Sequence, residues 1–395
     1  MKLAIISPLF LPVPDVKGGA IEKLITFILE ANEKKHLYDI DLYTLDDSLL
    51  AGVKYNYTNL ITIKPKSEYN LLTHGYYSIR DKIGFSLDLN PKFLYTCSMI
   101  RKVYKKNYYD AVLVENNMDV FLALLPKITK EKMFFHLHND FGNGDKAKTV
   151  DKAKAVAKNA DKIIVVSHFL KNKFEQIGVE NVEVVPNAII ANDFNPVSID
   201  ERKKIREQYN IKKNDFVFLF VGRVSKEKGT DKVISAFSNF KSSNVRLFIA
   251  GDSSLEQNNY ASNLIKQYAK LGDKLKFLGY VKNDDMRKLY SISDCVIVPT
   301  QIEEAFGMVV LEAMRMHVPV IATKSGGISE VLGNTGFLLS KNKDFTNNLY
   351  KKMECLFKST DKKREQIGMV EYKRSQEFPM TELKYYNLIT KILLK

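Results

Sequence analysis

Apolar residues arrive in this chain in two rhythms: short dense runs rich in Val, Ile, Leu and Phe, and longer stretches where they recur every third or fourth position. The dense runs predict strands buried on both faces, and the wider spacing predicts amphipathic helices packed over them. In the first half the predicted strands are Leu3–Ser7, Asp39–Tyr43, Ala111–Glu115, Met133–Leu137, Lys162–Ser167 and Val182–Val185. Ile21, Leu24, Ile25, Ile28 and Leu29 set the period of the first helix. The rhythm restarts at Phe216–Val221 and runs on through Val245–Ala250, Leu275–Leu278, Cys295–Val298 and Val318–Ala322. Strands alternating with helices predict an α/β chain with parallel sheets covered on both faces, and the restart predicts two Rossmann-like domains in tandem. Periodicity breaks at Pro186, Asn187, Asn192, Asp193, Asn195 and Pro196, which sets expected boundaries of 1–190 and 191–376.

Composition agrees with this picture. A chain of 395 residues exceeds one typical core, and an apolar fraction of 45% is that of a globular protein. Cys97, Cys295 and Cys355 are odd in number and far apart, which predicts neither a disulfide framework nor a metal motif and fits a reducing cytoplasm. The opening MKLAIISPLFLPVP is interrupted by Pro8 and Pro12 and reads as a first buried strand rather than a signal peptide. No stretch reaches the ~18 apolar residues of a membrane-spanning helix. The net charge of +14 admits nucleic acid, phosphorylated ligands or an anionic membrane surface as partners, and no nucleic-acid-binding module is present. Between Lys64 and Tyr109, cations interleave with aromatics (Tyr69, Tyr76, Tyr77, Arg80, Lys82 and Phe85, then Arg101, Lys102, Tyr104, Lys105, Lys106, Tyr108 and Tyr109). Such a segment suits a membrane interface or a lipid-diphosphate acceptor, and equally an exposed helix and loop.

The strongest chemical signal lies in Glu303–Glu330. Amides at Ala305, Phe306, Gly307 and Met308 open a helix and can receive a diphosphate, and Gly307 lets a ligand approach the backbone. Glu304 before the helix can accept from sugar hydroxyls, and Glu312, one to two turns on, from two ribose hydroxyls. An amphipathic helix with a solvated Glu at each end explains the apolar positions, but leaves Glu312 unexplained inside an apolar run. Arg223, just after a strand, and Lys228, on the next loop, can neutralise a leaving diphosphate; a solvated basic loop is the plainer reading. Gly18 and Gly19 open the first helix and suit phosphate or sugar contact, or a plain turn. Gly326, Gly327 and Gly251 are read the same two ways. Alternation puts His136 and His138 on one face of a strand. With no third ligand identifiable in the sequence, no metal is expected, and His138 is read as a cleft residue contacting the sugar. The chain contains no nucleophile elbow, Walker A loop or kinase signature.

Taken together, these residues resemble family 4 of the glycosyltransferases, a resemblance covering most of the chain. Glu304 and Glu312 match that family's paired glutamates, Arg223 and Lys228 its cation pair, Gly18-Gly19 its N-terminal glycine loop, and His138 its cleft histidine. Ala188 and His317 stand where the family usually has Gly. The resemblance implies a GT-B architecture, two facing domains with an active-site cleft between them, and a last helix, 377–395, packed back on the first domain. It implies metal-independent, retaining transfer from a nucleotide-sugar, with no cofactor and UDP as the expected nucleotide. The donor would meet Gly18, Gly19, Arg223, Lys228, Gly251, Glu304–Met308 and Glu312. Catalysis would involve His138, Arg223, Lys228 and Glu304, and the acceptor would meet Glu115, Asn116 and Asp140. The expected acceptor is a glycan or lipid-linked glycan of a surface polysaccharide, reached from the cytoplasm or the inner membrane face. A soluble or protein acceptor, a nucleotide-sugar epimerase and a non-catalytic nucleotide-sugar binding protein stay open as alternatives.

Overall fold

The computed structural model describes residues 1–64, 93–141, 146–252 and 259–395. The chain forms two compact units, Met1–Ala188 together with Thr381–Lys395, and Ile189–Met380. In the first unit the strands are β1 (Lys2–Ile6), β2 (Asp39–Leu45), β3 (Thr58–Ile63), β4 (Ala111–Glu115), β5 (Lys132–Leu137), β6 (Lys162–Val165) and β7 (Val182–Val184). They form one parallel sheet in the order β3-β2-β1-β4-β5-β6-β7. The strand order reverses direction at β1 and β4. In doubly wound sheets, that reversal opens a crevice at the carboxyl ends of the strands. The helix Glu382–Leu393, capped by Thr381, buries Tyr385, Tyr386 and Ile389. Its Tyr386 hydroxyl donates to Asn32 Oδ1 at 2.7 Å, and the Asn32 amide donates to the Tyr38 carbonyl at 2.8 Å. A buried Asn inside the helix Ala20–Lys35 is thereby satisfied and fixes the C-terminal helix in place.

The second unit contains β8 (Phe216–Val221), β9 (Val245–Ala250), β10 (Leu275–Gly279), β11 (Cys295–Val298), β12 (Val320–Thr323) and β13 (Phe337–Leu339), parallel in the order β10-β9-β8-β11-β12-β13. Here the reversal lies at β8 and β11. Phe216 and Phe218 of β8 pack with Phe237 and Phe240 beneath the helices Thr230–Phe237 and Phe345–Lys358. The helix Asp361–Ser375 places Glu371 fully inside, where its Oε1 accepts from the Val320 amide at the start of β12.

Burial pushes the Glu371 carboxyl well above its usual range, against the opposing pull of that amide. The sign of its pH dependence follows. Below the usual glutamate value both folded and unfolded states hold the proton. As pH rises past it, the unfolded chain ionises first and stability falls until the folded value is passed. Glu371→Gln, which cannot ionise, is therefore expected to gain melting temperature relative to the parent as pH rises from 4 to 8. Each kcal/mol corresponds to ~2–4 °C at this domain size. Calorimetry showing the same difference at both pH values would contradict a neutral buried Glu371.

β3 and β13 were not expected from the sequence. Both are sheet edges, and their burial is partial along most of their length, so neither shows the dense apolar run of a central strand. Tyr69, Tyr76, Tyr77, Arg80, Lys82 and Phe85 of the basic aromatic segment lie outside the described residues. In its described part, Tyr104 and Tyr109 belong to the core. The Tyr109 hydroxyl donates to Asp41 Oδ2 at 2.6 Å, and Lys105 Nζ reaches the same oxygen at 2.7 Å. These residues anchor the chain to β2 instead of presenting an aromatic face to solvent. Tyr108 is exposed, with Lys2 Nζ 3.9 Å above its ring.

Candidate functional site

In the second unit the chemistry gathers at the carboxyl ends of β8 and β11. The loop after β8 carries Arg223 and Lys228 and closes at Gly229 before the helix Thr230–Phe237. Gly229 has a φ of +73°, and a Cβ there would stand 2.0 Å from the Pro299 carbonyl oxygen. The Gln301 amide donates to the Glu227 carbonyl at 2.7 Å. Backbone packing thus locks the β8 loop against the β11 loop. Side chains join the same two loops: Lys228 Nζ donates to Glu304 Oε1 at 2.6 Å, and Thr300 Oγ1 donates to that oxygen at 3.0 Å. Arg223 is half exposed, with its Nη2 3.4 Å from Glu227 Oε2.

The chain from Glu303 to Gly307 leads into the helix Met308–Arg315. Phe306 is buried edge-on against Phe378, so its side chain anchors the loop and leaves the backbone to serve a ligand. Gly307 has a φ of +109°, and a Cβ there would press on Ile328. The first amides of any helix lack intrahelical partners, which makes this end anion-friendly. Gly326 has a φ of +45°, as the turn reading expects, and both glycines also pack against the loop before the Met308–Arg315 helix. A Cβ at Gly326 would stand 2.2 Å from the Glu304 carbonyl oxygen, and one at Gly327 2.3 Å from that of Ala305. The glycine pair is a bed for the Glu304–Phe306 backbone. Gly251 is likewise required by the β8 loop, since its Cβ would meet the Gly222 carbonyl oxygen.

Glu312 sits inside its apolar run because Tyr290 supports it: the Tyr290 hydroxyl donates to Glu312 Oε2 at 2.6 Å. Burial, then the Glu312 charge, push that hydroxyl far up, so it remains a donor. Glu303 has partners of its own in Lys341 and Ser325. Tyr290 and Lys341 escaped the sequence reading because they are remote in sequence from the glutamates they support, and Thr300 because it belongs to no motif. A tyrosine near the end of a largely polar helix carries no signal of its partner.

In the first unit, Gly18 and Gly19 have φ of +77° and +104° and lead into the helix Ala20–Lys35. A Cβ at Gly19 would collide with the Glu22 carboxylate. The sheet register pairs Glu115 of β4 with His136 of β5. Glu115 and His136 are fully buried and His138 nearly so. His138 Nε2 lies 2.8 Å from Glu115 Oε2, and His136 Nδ1 3.2 Å from the same oxygen. Burial works to raise the Glu115 carboxyl, but the two imidazoles outweigh it and hold it at about 2. Burial, then the His136 ring, drive His138 down to about 4, so it is neutral at neutral pH. Glu115, expected near the acceptor, therefore faces the two histidines. Asn116, with a φ of +55°, accepts from the amides of His138 and Asn139 at 3.0 and 3.2 Å and so shapes the loop after β5. Asp140 is buried against Lys173.

Two parallel Rossmann-like sheets of this topology define a GT-B glycosyltransferase fold. Anabaena HepE, solved with UDP and glucose, superposes with a TM-score of 0.74 at 20% identity, over 100% of this chain and 99% of that one. The sequence model of group 1 glycosyl transferases matches residues 201–374, and that of glycosyltransferase family 4 matches residues 39–192. The chain belongs to family 4 of the glycosyltransferases. It is 32% identical to the lipopolysaccharide 1,2-N-acetylglucosaminetransferase of Salmonella typhimurium over 58% of this chain, and spans 59% of that relative's length. With spore coat protein SA of Bacillus subtilis it shares 25% identity over 93% of both chains.

Proposed function

We propose that this chain moves a hexosyl group from a nucleotide-sugar, a UDP-sugar, onto a hydroxyl of a glycan or lipid-linked glycan during surface polysaccharide synthesis. The reaction retains anomeric configuration and uses no metal ion in the transfer step. The observation that carries this reading is the Lys228–Glu304 pair, which ties the β8 and β11 loops together beside the helix opening at Gly307. A diphosphate placed there meets the Lys228 ammonium, the Arg223 guanidinium and the first amides of the Met308–Arg315 helix, donors fixed in advance of the charge they stabilise. Glu312, steadied by Tyr290, takes the ribose, and Glu304 takes hydroxyls of the sugar. In the transfer the bond from the anomeric carbon to the diphosphate breaks. The acceptor oxygen bonds to the same face of that carbon, and its proton passes to the departing phosphate oxygen. The products are the glycosylated acceptor and a nucleoside diphosphate. His138 is assigned to orienting the sugar, on the family resemblance.

The lipopolysaccharide in the Salmonella relative's name and the UDP in the Anabaena complex support this reading. Among the described residues no helix is long and apolar enough to cross a membrane. The net charge of +14 suits peripheral attachment to the anionic inner face of a cell membrane, with the active site in the cytoplasm. The test has two arms. A thermal-shift panel of UDP, GDP and ADP is expected to show one responder, stabilised by ~2.7 kcal/mol at about a hundredfold excess over its Kd. No shift with any nucleotide would sink the donor assignment. Sedimentation with anionic phospholipid vesicles is expected to carry the protein down at low salt and release it at high salt. No sedimentation, with transfer to water-soluble glycans unimpaired, would move the acceptor into solution.

A further inference from the structure

The buried trio of the first unit has a composition that diphosphate chemistry does not use. Two imidazoles and one carboxylate place one ligating atom each within 4.8 Å of one another. Glu115 Oε2 is 2.8 Å from His138 Nε2 and 3.2 Å from His136 Nδ1. Two ligands bound at ~2.0–2.1 Å to one tetrahedral ion stand ~3.3 Å apart, and the two Glu115 distances lie near that spacing. Hydrogen bonding among the three leaves much unsatisfied. Among the described residues, His136 Nε2 and Glu115 Oε1 have no hydrogen-bond partner. Among the described residues, the buried Ser7 Oγ, one residue past β1 beside β4, and the Tyr385 hydroxyl, which feels the Glu115 charge, also lack one. So many partnerless polar atoms in one buried spot point to a ligand. Magnesium and calcium take oxygen donors, whereas an imidazole pair with one carboxylate selects a first-row transition ion.

We propose that Glu115, His136 and His138 form a site for one divalent transition-metal ion of the zinc class, with no part in the transfer step. Sequence spacing presents only the histidine pair; the third ligand comes from the neighbouring strand through the Glu115–His136 register. An ion there occupies His138, so zinc is expected to slow transfer, a consequence that rests on the sugar-orienting role given to His138 above.

The test uses untagged full-length protein with Zn2+ or Co2+ alone. One Zn2+ per chain is expected to survive gel filtration, and Co2+ to give the visible absorption of a low-coordinate nitrogen–oxygen site. His136→Gln is expected to weaken binding by more than the ~10–100-fold typical of losing an outer partner of a metal ligand. X-ray absorption at the zinc edge of the wild-type protein should show two imidazoles and an oxygen donor, whether or not the variant folds. Absence of stoichiometric uptake by folded wild-type protein, a ligand set without imidazole, or unchanged binding by folded His136→Gln overturns the site. Zinc uptake without any sugar transfer would instead count against the transferase reading and leave the metal site standing.

Discussion

Arg223→Ala and Lys228→Ala are each expected to lower kcat by about 10²–10³-fold, the range for removing one fixed donor from a developing negative charge. The KM for the acceptor should change far less. The two variants differ in their side effects. Arg223 is half exposed and has a surface pair with Glu227 at 3.4 Å, a kind of contact contributing ~0–1 kcal/mol, so its loss should barely move the melting temperature. Lys228 is more buried and holds Glu304 at 2.6 Å. Removing it takes a cation from the diphosphate and also leaves Glu304 with Thr300 as its remaining side-chain partner in this pair of loops. Lys228→Ala and Glu304→Ala should therefore be non-additive in kcat/KM, with a coupling of ~0.5–3 kcal/mol for groups in direct contact. Steady-state kinetics of the single and double variants on the nucleotide-sugar found by thermal shift would decide this. Near-wild-type turnover in both cation variants would remove the diphosphate assignment, and strict additivity would remove the Lys228–Glu304 link.

The fold class was legible because central parallel strands must be apolar on both faces, and β1, β4, β8 and β11 announce themselves that way. The edges β3 and β13 lack that constraint and went unseen. The same asymmetry governs the site. Residues whose candidacy rests on their own position in a strand–loop–helix unit, such as Arg223, Lys228, Glu304 and Gly307, could be proposed locally. Residues that act through a neighbour could not. Tyr290 joins Glu312 because β-strand order brings its helix there, and Glu115, expected from the sequence in an acceptor role, stands beside His136 by register. Glycines show a third limit. Gly251, Gly326 and Gly327 lie next to ligand-like loops, but the atoms that exclude their side chains belong to the protein's own backbone. A one-dimensional reading detects that a Cβ is forbidden without identifying what forbids it.

That last distinction yields an expected result whose sign runs against helix propensity. Gly327 lies in the helix Gly326–Leu332, and Ala in a helix is normally better than Gly by about 1 kcal/mol. Here the new Cβ would stand 2.3 Å from the Ala305 carbonyl oxygen and 2.8 Å from Phe306 Cα. Those are backbone atoms with no rotamer to change, and the Gly327 amide is itself bound to the Glu304 carbonyl at 2.8 Å. Overpacking a close-fitted interior costs ~1–3 kcal/mol, occasionally more, and contact with rigid backbone belongs at the upper end. Gly327→Ala should therefore lose about 2 kcal/mol net, several degrees in melting temperature. The structure can relieve the clash only by pushing the Glu304–Phe306 segment away, which shifts Glu304 and the helix opening at Gly307 together. The KM for the donor should rise accordingly. Gly368→Ala separates the two effects. Its Cβ would stand 2.1 Å from the His317 carbonyl oxygen, the same kind of overlap beyond the far end of the Met308–Arg315 helix. It should cost similar stability and leave the donor KM unchanged. A Gly327→Ala protein that melts higher than its parent would mean that the glycine bed tolerates a side chain and does not fix the donor loop.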